Sequence, residues 1–493
     1  MSLLPTIQMT NEFCQALTDM ERAGCKIDME ALDEIELWCK KRLAAIEPGL
    51  QKAANEALGD TFCNLSSPAQ LSVLFYGCKP KDKKVWAQRF ELKSGEKPAW
   101  RANRLDRLLD SSFISIINSE LEKVYKTTKS ICPSCGGSGS RNAEIDGNKR
   151  RKKCGVCGGK CVIFTQGTTR AGFGLPLNKR NVTSNGFASN KKVLEAALFK
   201  NISAEAKEFI LLIIEYHALH TYLSTFIGGI RNNVINGVLH PHFNQTVTKT
   251  GRLSSSGPNF QNLPKRDKSF PIRKVIISRW EGGKILKVDW SQLEFRWYGF
   301  VAQDQQVFTD LDNKVDIHTL TWKNIEAKYK LRLKDRDDAK KYTFAPLYGA
   351  SMDWGFRDRY TRLTPFQDEL LQQAAETGKI VLASGREFMC KGMSKTQLVN
   401  YPIQGGATAD LVPAVIVEIW KALKPYKSRL ILTVHDDKFI DVHPEELDII
   451  PGLVYSICKD YKAIMKRRFN MDINIALDVE MSIGNNGLEQ EKI

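Results

Sequence analysis

The sequence predicts an α+β fold with several lobes around a modest sheet, and three observations predict it. Amphipathic helical spacing fills the first ~75 residues and returns over residues 191–233. Strand-like, turn-rich sequence then runs to Trp290, and a second pair of β-rich runs flanks residues 435–437. The chain is 493 residues long, which at a usual ~150 per domain leaves room for roughly three domains. Hydrophobic residues make up 42% and charged residues 26%, enough to bury real cores, and this excludes a disordered chain. The longest uninterrupted apolar run, residues 209–214, stops at Glu215, far short of the ~20 residues of a membrane span. The N-terminus lacks the basic start and apolar stretch of a secretory signal, so a cytoplasmic protein without a membrane partner is expected.

In chain order, Phe13, Leu17 and Met20, then Leu32, Ile35, Trp38, Leu43 and Ile46, recur at helical intervals. Asn64-Leu-Ser-Ser-Pro68 reads as a helix start ahead of Leu71, Leu74 and Phe75. Gly and Ser enrichment at 136–140 and 166–190 marks loops, and no internal repeat is evident. Ile285, Lys287 and Asp289 alternate with Leu286 and Val288, which predicts a strand ending in an acid and followed by a helix. Residues 430–442 read as a hairpin with His435, Asp436 and Asp437 at its polar tip.

Charge is unevenly spread. Lys and Arg number 72 against 56 Asp and Glu, a net +16. Between Gly77 and Gly172 stand 21 basic and 9 acidic residues, so under a hundred residues carry +12 of that excess. A solvated basic surface would account for some of this, but such clustering favours a nucleic-acid partner. The same segment holds Cys132, Cys135, Cys154 and Cys157, two CxxC pairs separated by eighteen residues, the spacing of a closed structural zinc site. Glycines at 136, 137, 158 and 159 supply tight backbone after each pair. Cys161 is a fifth thiol able to substitute for a neighbour, and redox-active cysteines are the alternative reading. The glycine-rich pairs resemble those of chaperone zinc domains, but the rest of such a chaperone is missing. Seven further cysteines are scattered singly and read as small buried hydrophobes.

Three clusters carry chemistry. Asp289, at a strand end, is held toward a cleft or, equally, caps the next helix. Arg336, Lys340, Phe344 and Tyr348 recur at four-residue intervals, two cations and two rings on one helical stripe, suited to a triphosphate and its nucleoside. Pro346 should kink that helix in its last turn. Asp436 and Asp437 pair at the hairpin tip, where acids are also ordinary turn residues. Together they suit in-line displacement at phosphorus. Asp289 and Asp436 would bridge two Mg2+ ions while Arg336 and Lys340 neutralise the triphosphate.

In identity and order these clusters resemble motifs A, B and C of the family A DNA polymerases, the class of bacterial polymerase I and many bacteriophage replicases. Thr250 to Arg252 with Asn259, Gln261 and Asn262 resembles a segment tracking primer-template, Asp316 and His318 a triphosphate-contacting element, and Asn400 with Gln404 a minor-groove reader. The resemblance implies a right-hand fold of palm, fingers and thumb with a zinc-ribbon-like insert in the thumb. Its parts would be a palm entry segment at 1–30, a thumb at 31–240 interrupted by the basic insert at 77–172, palm at 241–300 and 396–493, and fingers at 301–395. It implies catalytic Asp289, Asp436 and Asp437, with the Trp290 carbonyl as an auxiliary metal ligand. Gln292, Glu294 (a steric gate against the 2′-hydroxyl), His318, Arg336, Lys340, Phe344 and Tyr348 would meet the incoming nucleotide. Arg252, Asn259, Gln261, Asn262, Asn400, Gln404 and His435 would touch primer-template DNA. Two Mg2+ ions, deoxynucleoside triphosphates and a monomeric state follow from the same likeness, as does a processivity factor or replisome protein at the insert; the likeness covers residues 1–76 and 173–493, so the one structural Zn2+ rests on the CxxC spacing alone. Phe344 in place of tyrosine implies discrimination against dideoxynucleotides. Trp290, Phe295, Thr396 and Asp437 depart from the usual residues. The matching region starts almost at Met1, so a phage replicative enzyme without a proofreading exonuclease in this chain is expected. The alternatives are a single-subunit RNA polymerase-like enzyme, against which Glu294 argues, and a basic zinc protein with a degenerate polymerase fold.

Overall fold

Apolar side chains at helical spacing need a surface to bury against, and the helices of the first 76 residues each find one. The computed structural model describes residues 4–90, 113–145, 148–263, 270–329, 336–350 and 353–493. It divides into two units, residues 1–36 with 224–493, and residues 37–223.

In the first unit, helix Leu4–Ala23 buries Phe13, Leu17 and Met20 and packs on helix Val412–Leu423 and strand Arg429–Val434. That strand is one edge of a five-stranded sheet in the order Arg429–Val434, Asp437–Val442, Lys284–Trp290, Val479–Gly484, Gln490–Lys492, with every neighbouring pair antiparallel. The Lys284–Trp290 strand is paired on both sides, and Ile285, Leu286, Val288 and Trp290 are buried along it. Such central placement fixes the direction of each of its side chains. A smaller four-stranded sheet joins Cys25–Ile27 to Val234–Ile235, Val238–Leu239 and Ile276–Ile277.

In the second unit, Ser67 caps helix Pro68–Tyr76 by accepting from the Gln70 N–H, with Pro68 opening the helix and left-handed Gly77 (φ 63°) closing it. Leu71, Leu74 and Phe75 are buried, and Phe75 meets Phe173 and Phe209. The helical stretch Ala204–Asn233 is, by length and composition, apolar enough to cross a membrane, which a search for uninterrupted apolar runs misses. Phe209, Ile210, Ile213 and Leu219 on it are buried inside the protein, as in a core helix.

Gly77 and Gly172 lie side by side. A Cβ on Gly172 would stand 3.1 Å from the Gly77 nitrogen and one on Gly77 2.4 Å from the Ala171 carbonyl oxygen, and both residues have positive φ. Only glycine satisfies both demands. The two ends of the segment between them therefore meet, and the segment also packs back on the unit through Trp86, buried against Phe187, and through Thr127, bridged to Gly59. It carries an antiparallel ribbon, Tyr125–Ile131 with Val162–Arg170, then the four-cysteine knot, then a second ribbon, Ser140–Ile145 with Asn148–Lys153.

Candidate active site and metal sites

Asp289 is the sixth residue of the central strand, and its carboxylate accepts the Trp290 N–H at 2.8 Å. The helix that follows is Leu293–Ala302, and its N-cap is Gln292 in the left-handed region (φ 52°), so Asp289 is not the cap that the sequence allowed. Strands Arg429–Val434 and Asp437–Val442 are joined by His435 and Asp436 alone, with His435 left-handed at φ 59°. Gln261 braces this tip from behind. Its Nε2 donates to the Thr433 carbonyl at 2.6 Å, and its Oε1 accepts the His435 N–H at 2.8 Å. Asn259 in turn accepts the Gln261 N–H at 3.1 Å.

These elements open onto one cleft of about 400 Å³. Its lining includes the acids Asp289, Asp436 and Glu480 together with His318, Arg336, Lys340 and Phe344. Arg252, Trp290, Gln292, Glu294, Thr408 and His435 complete the groups that matter. Residues 147 apart in sequence thus present carboxylates to one space. Glu480 was not anticipated. It lies directly opposite Asp289 in the ladder, and opposed residues of an antiparallel pair share a face. The alternation of Val479–Gly484 signals a strand, but only the register puts its acid beside Asp289.

Asp437 does not reach the cleft. It is fully buried, and its Oδ2 accepts from Arg273 Nη1 at 3.2 Å, with Arg273 itself 2% exposed. Asp436 belongs to the two-residue turn, whereas Asp437 is the first residue of the returning strand and is held there by Arg273. Asp437 was expected among the catalytic acids; it is absent from the cleft lining and pairs with Arg273 behind the hairpin tip. Lys438, also fully buried, sets its Nζ 3.3 Å from the centre of the Trp290 ring and donates to the Asp436 carbonyl at 2.8 Å. Burial pushes this lysine below its ordinary range, while Cys458 and the nearby aspartates pull it back up. The Trp290 ring is the platform for that cation.

The helix carrying the cations ends at Phe344, and Pro346 falls in the turn beyond it. Tyr348 is therefore not on the helical stripe, yet its ring stacks on Phe344 at 6.1 Å and 16°. Arg336 meets Asp316 through Nε at 2.5 Å and Nη2 at 2.8 Å. Burial alone would raise Asp316, but hydrogen bonds from Arg336 and Thr319 outweigh it and hold the carboxyl well below the carboxylate range. His318 Nδ1 bonds to the Thr343 hydroxyl at 3.0 Å, tying the two helices together behind the cleft. Glu294 receives a hydrogen bond from Arg252 Nη2. Burial, with the Asp436 charge adding to it, pushes the Glu294 carboxyl up to about 8. Burial likewise lowers the Arg252 guanidinium.

The expected DNA contacts divide. Arg252 and His435 line the cleft, and Asn262 is exposed. Gln261 is buried and committed to the hairpin, with Asn259 supporting it, so both act as braces and not as exposed contacts. Asn400 and Gln404 lie on helix Lys395–Gln404, away from the cleft lining. The Gln404 carbonyl accepts the Thr408 hydroxyl, which itself accepts from Arg252.

In the second unit the sulfurs of Cys132, Cys135, Cys154 and Cys157 lie within 4.8 Å of one another. Cys132–Cys154 and Cys135–Cys157 are 3.8 and 3.7 Å apart. A tetrahedral ion with Zn–S bonds of about 2.3 Å requires sulfurs about 3.8 Å apart, so the donors fit zinc. Backbone N–H groups led by that of Cys157, with the Ser134 hydroxyl, lower the Cys154 thiol to about 6, while burial raises Cys132 to about 11. Cys161 is not in the set. It stands seven residues after Cys154, as Gly139 stands seven after Cys132, and both are left-handed (φ 67° and 70°). The Cys132 N–H donates to the Cys161 carbonyl at 3.0 Å and the Cys154 N–H to the Gly139 carbonyl at 2.9 Å. The knot is therefore a duplicated knuckle, a short repeat where none was evident from the sequence.

Among known families, the model of DNA polymerase family A matches residues 171–355 and 353–489. DNA polymerase I of Streptococcus pneumoniae is 28% identical over 316 residues, covering 57% of this chain and 35% of that protein. The enzyme of Caldicellulosiruptor bescii is 30% identical over 319 residues (57% and 36%), and that of Bacillus subtilis 27% over 340 (62% and 37%). The match thus spans about a third of the length of these relatives. Among solved structures, the POL domain of Pol1 from M. smegmatis, in complex with DNA primer-template and dNTP, aligns with a TM-score of 0.64 at 19% identity. That alignment covers 97% of this chain and 70% of the other, which establishes the polymerase-domain fold.

Proposed function

The chain belongs to DNA polymerase family A, and from that premise we propose that it is a template-directed DNA polymerase extending primer 3′ ends with deoxynucleoside triphosphates. The observation that carries this reading is the single cleft shared by Asp289, Asp436, Arg336 and Lys340. Asp289 and Asp436, with the Trp290 carbonyl, would hold two Mg2+ ions, whose hard oxygen preference suits these donors. When bound, the ions activate the attacking hydroxyl and steady the leaving pyrophosphate. Glu480 is the third carboxylate of this set. Arg336 and Lys340 neutralise the triphosphate, and Phe344 and Tyr348 offer stacked rings to the nucleoside. Glu294, fixed by Arg252, occupies the place of a gate against a ribose 2′-hydroxyl. Residues 241–300 and 396–493 serve as palm, 301–395 as fingers and 31–240 as thumb. One structural Zn2+ sits in the four-cysteine knot.

Primer extension with Mg2+ tests the reading. Asp289→Ala and Asp436→Ala should each cost several kcal/mol of transition-state stabilisation, at least about a hundredfold in rate. Primer-template affinity should change little. Retention of extension by either variant, or preferential incorporation of ribonucleotides by the unaltered chain, would overturn it.

A further inference from the structure

We propose that the two-stranded ribbon Ser140–Ile145 with Asn148–Lys153 is a duplex-binding element that enters a DNA groove and touches both phosphate backbones. The proposal rests on the polymerase reading for the identity of the polyanion, and on the ribbon's own geometry for the mode. Arg141 is opposite Lys152, Asn142 opposite Arg151 and Ser140 opposite Lys153. Opposed residues share a face and successive residues alternate, so Arg141 and Lys152 lie on one face, Arg151 and Lys153 on the other. All four are exposed, and none forms a salt bridge with a described acid.

Antiparallel sheets usually pack one face on a core and solvate the other. This ribbon can bury neither face on protein without desolvating cations. A partner lying flat on it would engage one pair and leave the other in solvent. Only insertion between two rows of phosphates uses both. Strands of six residues reach about 20 Å, longer than the ~12 Å width of the major groove, which admits a two-stranded ribbon. An isolated hairpin is marginally stable in water. Here the base is fixed by the knot, where the two knuckles exchange the hydrogen bonds from Cys132 and Cys154, and where Arg141 Nε donates to the Ser134 carbonyl.

The test uses the full-length, zinc-loaded chain and a fluorescent blunt duplex, with binding followed by anisotropy across a salt series. Each phosphate that is no longer neutralised should flatten the slope of log K against log salt by about 0.9. Arg141→Ala with Lys152→Ala should remove about 2 from the slope. Arg151→Ala with Lys153→Ala should remove the same, and all four together about 4. Zinc content confirms that the knot remains folded. An effect from only one pair would refute groove insertion, as would an equal loss on single-stranded DNA. No effect from either pair would transfer the ribbon to another partner, such as an acidic protein, and end the proposal. Single-nucleotide incorporation at saturating primer-template, run in parallel, keeps the two readings separate. If the unaltered chain fails to extend primers while the slopes move as stated, the polymerase reading falls and the ribbon stands.

Discussion

Replacing Arg273 by methionine should destabilise the sheet-bearing unit by about 3–5 kcal/mol. The magnitude follows from what the substitution strands. Asp437 is 0% exposed and Arg273 2%, their atoms are 3.2 Å apart, and the guanidinium also donates to the Leu263 carbonyl and lies over the Phe439 ring. Without it the Asp437 carboxylate stays buried and loses its ion pair with the guanidinium, a loss comparable to much of a domain's ~5–15 kcal/mol of net stability. Adding Asp437→Leu removes the stranded charge, and the double variant should recover most of the loss, because apolar replacements of buried pairs are often neutral. Lys427→Ala is the control. Its pair with Glu445 is 61% and 73% exposed, so it should cost under about 1 kcal/mol. Scanning calorimetry of the four proteins measures the stabilities, and primer extension by Asp437→Asn and Asp436→Asn measures function. Equal shifts for Arg273→Met and Lys427→Ala would refute the reasoning. So would an Asp437→Asn variant as inactive as Asp436→Asn, because Asp437 would then be acting in the cleft.

Three other outcomes are expected. Glu480→Gln should reduce the incorporation rate and raise the Mg2+ concentration needed for half-maximal activity; an unchanged metal dependence would remove Glu480 from the set. Cys161→Gly relieves a left-handed non-glycine residue and should strengthen the knot by roughly 1 kcal/mol, read as tighter retention of zinc against a chelator. Weaker retention would instead make Cys161 a ligand. In the metal-free chain Cys154, lowered to about 6, should be a thiolate at neutral pH while Cys132, raised to about 11, is not, as ultraviolet thiolate absorbance can follow. The sign follows from the lowered value. The folded knot favours the Cys154 thiolate most above the ordinary thiol value of 9.0, loses that preference as pH falls toward 6, and should release zinc more readily there.

The chemistry of this protein was legible wherever it resides in residue type and local spacing. Asp289 at a strand end, the cations at 336 and 340, the hairpin acids and the CxxC pairs are local patterns, and backbone periodicity alone makes them readable. Tertiary structure decided which of those groups face the same space. Asp436 and Asp437 are adjacent in sequence, yet the one in the turn lines the cleft while the one that opens the returning strand is buried against Arg273. Glu480 joins Asp289 through a strand register that spans 191 residues and leaves no local mark. Gln261 has the look of an exposed amide until the fold closes a hairpin around both of its ends. Covalent order determines which side chains are available and how they alternate, whereas long-range pairing and burial determine which of them share a partner, and only the second operation turns acids into a site.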